Sequence, residues 1–188
     1  MPDPFVAGRP EPYSVAVVVV DYDPLWPVLF EAGAQAVRAS LGSTALAVDH
    51  VGSTSVPGLA AKPVVDILLQ VPDSADEDAY VPALEQLGYQ LRIREPDWLE
   101  HRVLYQRVDD GATHSVNVHV LSPGLGDEEI TRMLGFRDWL RSHPEDCDRY
   151  AAVKRELAGR RWRYVQDYAD AKSDVVAEIL ARSAQARR

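Results

Sequence analysis

The order of apolar and polar positions divides the chain into a mixed first part and a helical second part. Residues 1–13 are rich in Pro and polar groups and read as a loose tail. Val15 to Val20 is a short β-branched run, a strand or an extended arm. Asp23 is placed to cap a helix with Pro24 at its first position. Trp26, Leu29, Phe30, Ala34, Val37 and Leu41 then recur at helical spacing, so a helix is expected over 24–41, ended by Gly42. Leu46 to Val51 reads as a strand. Pro63 to Val71 reads as a central strand, nearly continuous in apolar residues and interrupted by one charge at Asp66. A helix over 76–87 follows, its regular part starting near Val81 because of Pro82, and Tyr89 to Ile93 is a further strand candidate. His101–Val108 and Thr113–Leu121 form a hairpin signalled by Asp109-Asp110-Gly111-Ala112. Its second strand alternates. Ser115, Asn117, His119 and Leu121 take one face, and His114, Val116, Val118 and Val120 the other. Beyond Pro123-Gly124 three helices are expected: Asp127 to Ser142, Glu145 to about Arg161, and a last one carrying Tyr164 through Leu180.

This pattern predicts an α/β (α+β) fold, a mixed sheet flanked by helices with a helical segment over about 127–183. Residues 14–183 make a single domain, which 188 residues at 46% hydrophobic can stabilise without staples. The formal net charge of −9 repels phosphate backbones, so general nucleic-acid binding is disfavoured while a local pocket for a small anion is not. The lone Cys147 cannot form an internal disulfide, and its flanking acids raise a thiol pKa rather than lower it. No apolar run reaches the length of a membrane span and the N-terminus lacks the features of a signal peptide, so a cytoplasmic location is expected. There is no P-loop, no His-Glu-x-x-His and no Gly-x-Ser-x-Gly.

Chemistry concentrates in His50-Val51-Gly52-Ser53-Thr54-Ser55-Val56-Pro57-Gly58-Leu59-Ala60-Ala61-Lys62-Pro63-Val64-Val65-Asp66-Ile67. Gly52 allows a backbone to approach a ligand closely. The Ser53 hydroxyl and neighbouring N–H groups suit phosphate oxygens, with Thr54 beside them. Asp66, between Val65 and Ile67, carries a charge that costs several kcal/mol, roughly, if left unpaired in a strand interior; it needs a cation, hydrogen bonds or a catalytic task. A divalent ion there, Mg²⁺ or Mn²⁺, would bridge phosphates. Lys62 and Arg102 are candidate anion contacts, the first as a point charge and the second as a fork. Asn117 and His119 line the same cleft if their face meets Asp66, His119 as base, ligand or phosphate contact. The alternatives stand beside these readings: a tight turn at 52–54, Asp66 as a cap or ion-pair partner, a surface charge or a local ion pair at 62 and at 102, and a half-solvated strand face.

The stretch His50 to Ile67 resembles the signature of the GrpB family. The likeness continues through Asp21–Glu31, His101-Arg102, Thr113–Val120, Phe136–Leu140, Tyr150–Lys154 and Tyr168–Lys172. The resemblance implies a nucleotidyltransferase-like fold with the Gly-Ser turn beside a nucleotide triphosphate, and transfer of a nucleotidyl or phosphoryl group as the chemistry. It equally implies a non-catalytic, folding-assisting role with a protein partner, like the domain fused to dephospho-CoA kinase. The chain departs from the transferase pattern in its acids. Asp66 fills the first strand position, Leu68 the second, and Asn117 and His119 stand where a third acid belongs. Holding two cations about 3.5–4 Å apart needs more carboxylates than this.

Overall fold

The computed structural model describes residues 4–7, 15–109 and 113–186. In chain order its elements are β1 (Val15–Ala16), α1 (Leu25–Leu41), β2 (Ala47–Val51), β3 (Val64–Gln70), α2 (Val81–Gln86), β4 (Gln90–Glu95), β5 (His101–Asp109) and β6 (Thr113–Leu121). Then come α3 (Asp127–Ser142), α4 (Pro144–Ala158), β7 (Arg161–Trp162), α5 (Val165–Asp170) and α6 (Ser173–Ala186). The main sheet runs β2–β3–β6–β5–β4. Only β3 and β6 pair in parallel; the other neighbours are antiparallel.

Each element follows from local chemistry. The Leu25 N–H donates to the Asp23 carboxylate at 2.9 Å, which opens α1, and Gly42 leaves the helix at φ 54°. Apolar residues of α1 and α2 (Trp26, Ala34, Val37, Val81, Leu84) pack on Val65, Ile67, Leu69, Leu104, Val118 and Val120. The opposite face places Leu68 with Val51, Leu121 and Ile130 of α3. Because both faces are covered, β3 is apolar at nearly every position; Asp66 is the exception in its interior and Gln70 ends it. The C-terminal helices join through Leu140, Tyr150, Ala151, Val175 and Ile179 to the 56–60 loop, so they lie on the Asp66 side of the sheet. His114 is buried on the valine side, as its place in the alternation requires, with its Nε2 3.6 Å from Asp23.

Some segments differ from the sequence reading. The segment expected as one last helix is broken: the Ala171 N–H returns to Asp167 O and the Lys172 N–H to Ala169 O, a tightened turn that ends α5 before α6 begins. The helix expected to reach about Arg161 stops at Ala158, and Arg161–Trp162 pairs with β1. Of the Val15–Val20 run, two residues form that pairing, and Val20 bridges Ala61. Residues 4–7, inside the expected tail, bond to the β4 edge through Val6 N–H to Arg92 O at 3.0 Å and Arg94 N–H to Pro4 O at 2.9 Å. In the expected hairpin turn, Asp110, Gly111 and Ala112 lie outside the described residues.

Candidate functional site

Asp66 sits mid-strand, opposite Val51 on β2 and Asn117 on β6. Asn117 Nδ2 donates to Asp66 Oδ1 at 2.9 Å, and His119 Nε2 lies 3.6 Å from the same oxygen. Burial pushes the Asp66 carboxyl pKa up, but the His119 and Asn117 side chains and the Lys62 charge outweigh it and hold the group below its ordinary value. The Gly52 bend packs directly on this carboxylate. A Cβ at residue 52 would stand 2.3 Å from Asp66 Oδ2, and the residue has φ 70°, so both space and backbone demand glycine. Bend and aspartate therefore share one side of the sheet.

The bend is fixed from within. The Thr54 hydroxyl donates to Val64 O at 3.1 Å, which leaves its oxygen to accept from His50 Nε2, also at 3.1 Å. His50 stacks on Phe30 with ring centroids 4.6 Å apart, and burial pushes its pKa down to about 4. Thr54 thus faces inward and shapes the loop. Ser53 stays half-buried, and its side chain hydrogen-bonds Tyr150 of α4.

A second line of groups approaches from β5. Val103 is the register partner of His119, so His101, two residues on, shares its face. His101 Nε2 is 3.2 Å from His119 Nδ1, and His101 Nδ1 is 2.7 Å from Glu95 Oε2. The series Glu95–His101–His119–Asp66 is continuous. Burial lowers the His101 pKa, with Glu95 opposing.

The C-terminal helices supply cations that sequence reasoning missed. Of 20 basic residues in the chain, only Lys62, Lys154 and Lys172 are lysines, and all three meet here. The Lys172 Nζ lies 4.7 Å and the Lys62 Nζ 5.6 Å from the Tyr168 ring centroid; the Lys154 Nζ lies 4.4 Å from that of Tyr150. Burial lowers all three pKa values, to about 7 for Lys154 with Lys172 adding repulsion, and to about 8 for Lys172 with Lys62 adding repulsion and Asp66 opposing. Lys154 is 2% exposed, and its Nζ is buried without a hydrogen-bond partner, as is the Tyr168 hydroxyl. Among the described residues none of the three lysines forms an ion pair. The sequence did hold a signal: Tyr150-Ala151-x-x-Lys154 and Tyr168-Ala169-x-x-Lys172 repeat one spacing that sets Tyr and Lys on the same helical side.

Of the residues singled out in the sequence, Gly52, Ser53, Lys62, Asp66, Asn117 and His119 converge, and Thr54 lies just beneath them. Arg102 does not join them. It is the register partner of Val120, so it points to the α1–α2 face, where it bonds Glu77 at 2.6 Å and Glu100 at 3.0 Å. Cys147 lies within electrostatic reach of Lys154, but burial and then Asp148 raise its thiol pKa, with Lys154 opposing.

Known proteins give this geometry a context. A UPF0157 protein of Halalkalibacterium halodurans is 56% identical over 176 residues, 94% of this chain and 87% of that protein. A dephospho-CoA kinase of Mycolicibacterium paratuberculosis is 31% identical over 167 residues, which span 77% of this chain but 40% of the kinase. The crystal structure of GrpB from Enterococcus faecalis matches with a TM-score of 0.76 at 31% identity, over 90% of this chain and 99% of that one. That structure shares the α+β fold, with its mixed five-stranded sheet covered by helices on both faces. The GrpB protein family model matches residues 16–182, with the Gly52 bend, the strand aspartate and both Tyr-Ala-x-x-Lys segments inside it, and the chain belongs to the GrpB family.

Proposed function

We propose that this chain binds a nucleotide or another phosphorylated small molecule in the space between the Gly52–Ser53 bend and the lysines of the C-terminal helices. The carrying observation is the convergence of Lys62, Lys154 and Lys172 with Asp66 as the one carboxylate that opposes their burial. Burying an ammonium group costs several kcal/mol, roughly, unless something compensates it. Asp66 compensates one charge at most, so the set has a surplus that a polyanion would neutralise. Ser53 and the backbone N–H groups of the bend supply donors, and Tyr150 and Tyr168 wall the space. Binding, more than transfer, is what this donor set supports. Leu68 occupies the second acidic position of a transferase, and it is fully buried among Val51, Leu121 and Ile130.

The test is thermal unfolding and calorimetry of the full chain with pyrophosphate, tripolyphosphate, each nucleoside triphosphate and coenzyme A precursors. A ligand at about one hundred times its dissociation constant adds about 2.7 kcal/mol of stability. Lys62→Met and Lys172→Met should each abolish that gain while remaining folded. No stabilisation of the wild type by any of these anions overturns the reading.

One observation favours a second role. The kinase that this chain resembles carries the matching segment as a minor part of its length. A domain of that kind can serve as a folding-assisting module, with the pocket retained as a docking point. Refolding yield of a dephospho-CoA kinase catalytic domain, with and without this chain, separates that role from ligand binding.

A further inference from the structure

Two consecutive residues in the turn between β4 and β5, Leu99 at φ 58° and Glu100 at φ 50°, hold a left-handed backbone without being glycine, and no other non-glycine residue does so among the described ones. A Cβ makes that conformation unfavourable, so neighbouring contacts must impose it. Here they come from both faces of the sheet. Leu99 packs on the cluster of Val51, Leu68, Leu121 and Ile130. The Glu100 carboxylate accepts from Arg102 on the opposite face at 3.0 Å. The Trp98 backbone is pinned as well: its N–H donates to Glu95 O and its carbonyl accepts from the His101 N–H, each at 3.1 Å. The turn is thus a rigid mount for Trp98, which at 44% is the only exposed aromatic side chain among the described residues.

Trp98 stands at the outer end of a line of rings that leads into the site. Its ring is perpendicular to that of His101, with centroids 5.1 Å apart. The His101 ring stacks on His119 at 5.3 Å, and His119 Nε2 is 3.6 Å from Asp66 Oδ1. The base, ribose and phosphate chain of one mononucleotide span such a line. The other aromatic rings near the lysines are already taken. Tyr150 and Tyr168 are buried with ammonium groups against their rings, Trp139 stacks on His143, and Trp162 meets Tyr168 edge to face. We infer that Trp98 is the platform on which the base of a nucleotide stacks while its phosphates reach the lysines. This rests on the phosphate site proposed above, and narrows its ligand to phosphorylated molecules that carry an aromatic base. An indole offers a large π-face, and a mount already held in one conformation loses little freedom when a ring settles on it. Stacking reads a base by its face, so purine and pyrimidine nucleotides both gain from it and neither is selected by its hydrogen-bonding edge.

Two measurements test it on the full chain. Calorimetry compares ATP and UTP with ribose 5-triphosphate, which keeps the sugar and the phosphate chain and lacks the base. Both nucleotides should bind about five- to a hundredfold more tightly than ribose 5-triphosphate. Trp98→Leu should lose that margin and leave the ribose 5-triphosphate affinity unchanged, whereas Trp98→Phe should keep most of it. Indole fluorescence gives a second readout that needs no variant to fold: ATP should quench part of the wild-type emission, and ribose 5-triphosphate none of it. A Trp98→Leu protein that binds ATP as tightly as the wild type, or that loses ATP and ribose 5-triphosphate by the same factor, overturns the inference. So does a wild type that binds ribose 5-triphosphate as tightly as ATP, a result that leaves the phosphate site standing. A wild type that binds none of the three overturns it as well, and binding of pyrophosphate then decides whether the phosphate site falls with it.

Discussion

The two faces of the central sheet each carry a charged cluster, and the clusters are built in opposite ways. On the α1–α2 side, Arg102 and Arg94 share the Glu77 carboxylate, with Glu100 as a second partner for Arg102. Every charge there has a mate. The Glu77 pKa is depressed chiefly by the Arg94 hydrogen bonds, and Tyr80 caps the arrangement beneath with its hydroxyl on Ser74 O. On the other side, Asp66 faces Lys62 and Lys172, and Lys154 behind Lys172 has an ammonium with no hydrogen-bond partner. A balanced cluster explains itself as architecture. An unbalanced one, kept at an energetic cost, indicates a binding role for a group from outside the fold. The contrast also shows why residue type alone misleads: the arginine fork at 102 looks the better anion binder, yet it is already occupied.

Perturbing each cluster sharpens the contrast. The largest effect is expected from Arg102→Met, which leaves Glu77 half-paired. Urea denaturation should show a loss of about 3 kcal/mol, at the lower end for broken buried pairs because Arg94 remains. Pyrophosphate affinity of the folded variant should not change; a collapse in binding would put Arg102 back in the site. Next comes Gly52→Ala, which meets both the Asp66 carboxylate and a left-handed backbone. About 1–3 kcal/mol of stability should be lost, with anion binding impaired as the bend moves.

Lys154→Met should reverse the sign. Removing an uncompensated buried amine is expected to raise stability by about 1 kcal/mol at neutral pH while pyrophosphate affinity drops about tenfold. The pH dependence follows. Lys154 and Lys172 have native values of about 7 and 8 against 10.5 when unfolded. Between those limits the unfolded chain holds more protons, so ligand-free stability rises as pH climbs from 7 towards 10.5. Anion affinity falls over the same range, since the amines that attract the anion are losing charge. Thermal melts across that window should show a flatter rise for Lys154→Met. The smallest effect belongs to Arg160→Ala, which breaks an exposed helical pair with Glu156; a change below about 0.5 kcal/mol is expected by the same melts.

Much of the site was legible along the chain because its first half is local. Gly52 and Asp66 flank one loop, and strand alternation assigned Asn117 and His119 to one face before any register was known. Arg102 was not legible: adjacent residues of a strand point oppositely, and only the pairing of Val103 with His119 decides that His101 goes to the site and its neighbour away. Lys172 reaches Asp66, and Lys154 reaches Lys172, through packing of the C-terminal segment across roughly a hundred residues of sequence, which no periodicity encodes. The break between α5 and α6 was hidden for a similar reason, since its turn is made by backbone bonds in a segment of good helix formers.

Outside this cluster, every side chain of the Lys and Arg class is a guanidinium. Reagents that acylate or alkylate primary amines are normally indiscriminate, because lysines stud protein surfaces. Here their side-chain targets all belong to one cluster, and burial lowers the Lys154 pKa to about 7. An activated ester becomes a footprinting reagent for that cluster, and protection by a candidate metabolite, read by mass spectrometry, turns the chemistry into a screen for the ligand proposed above.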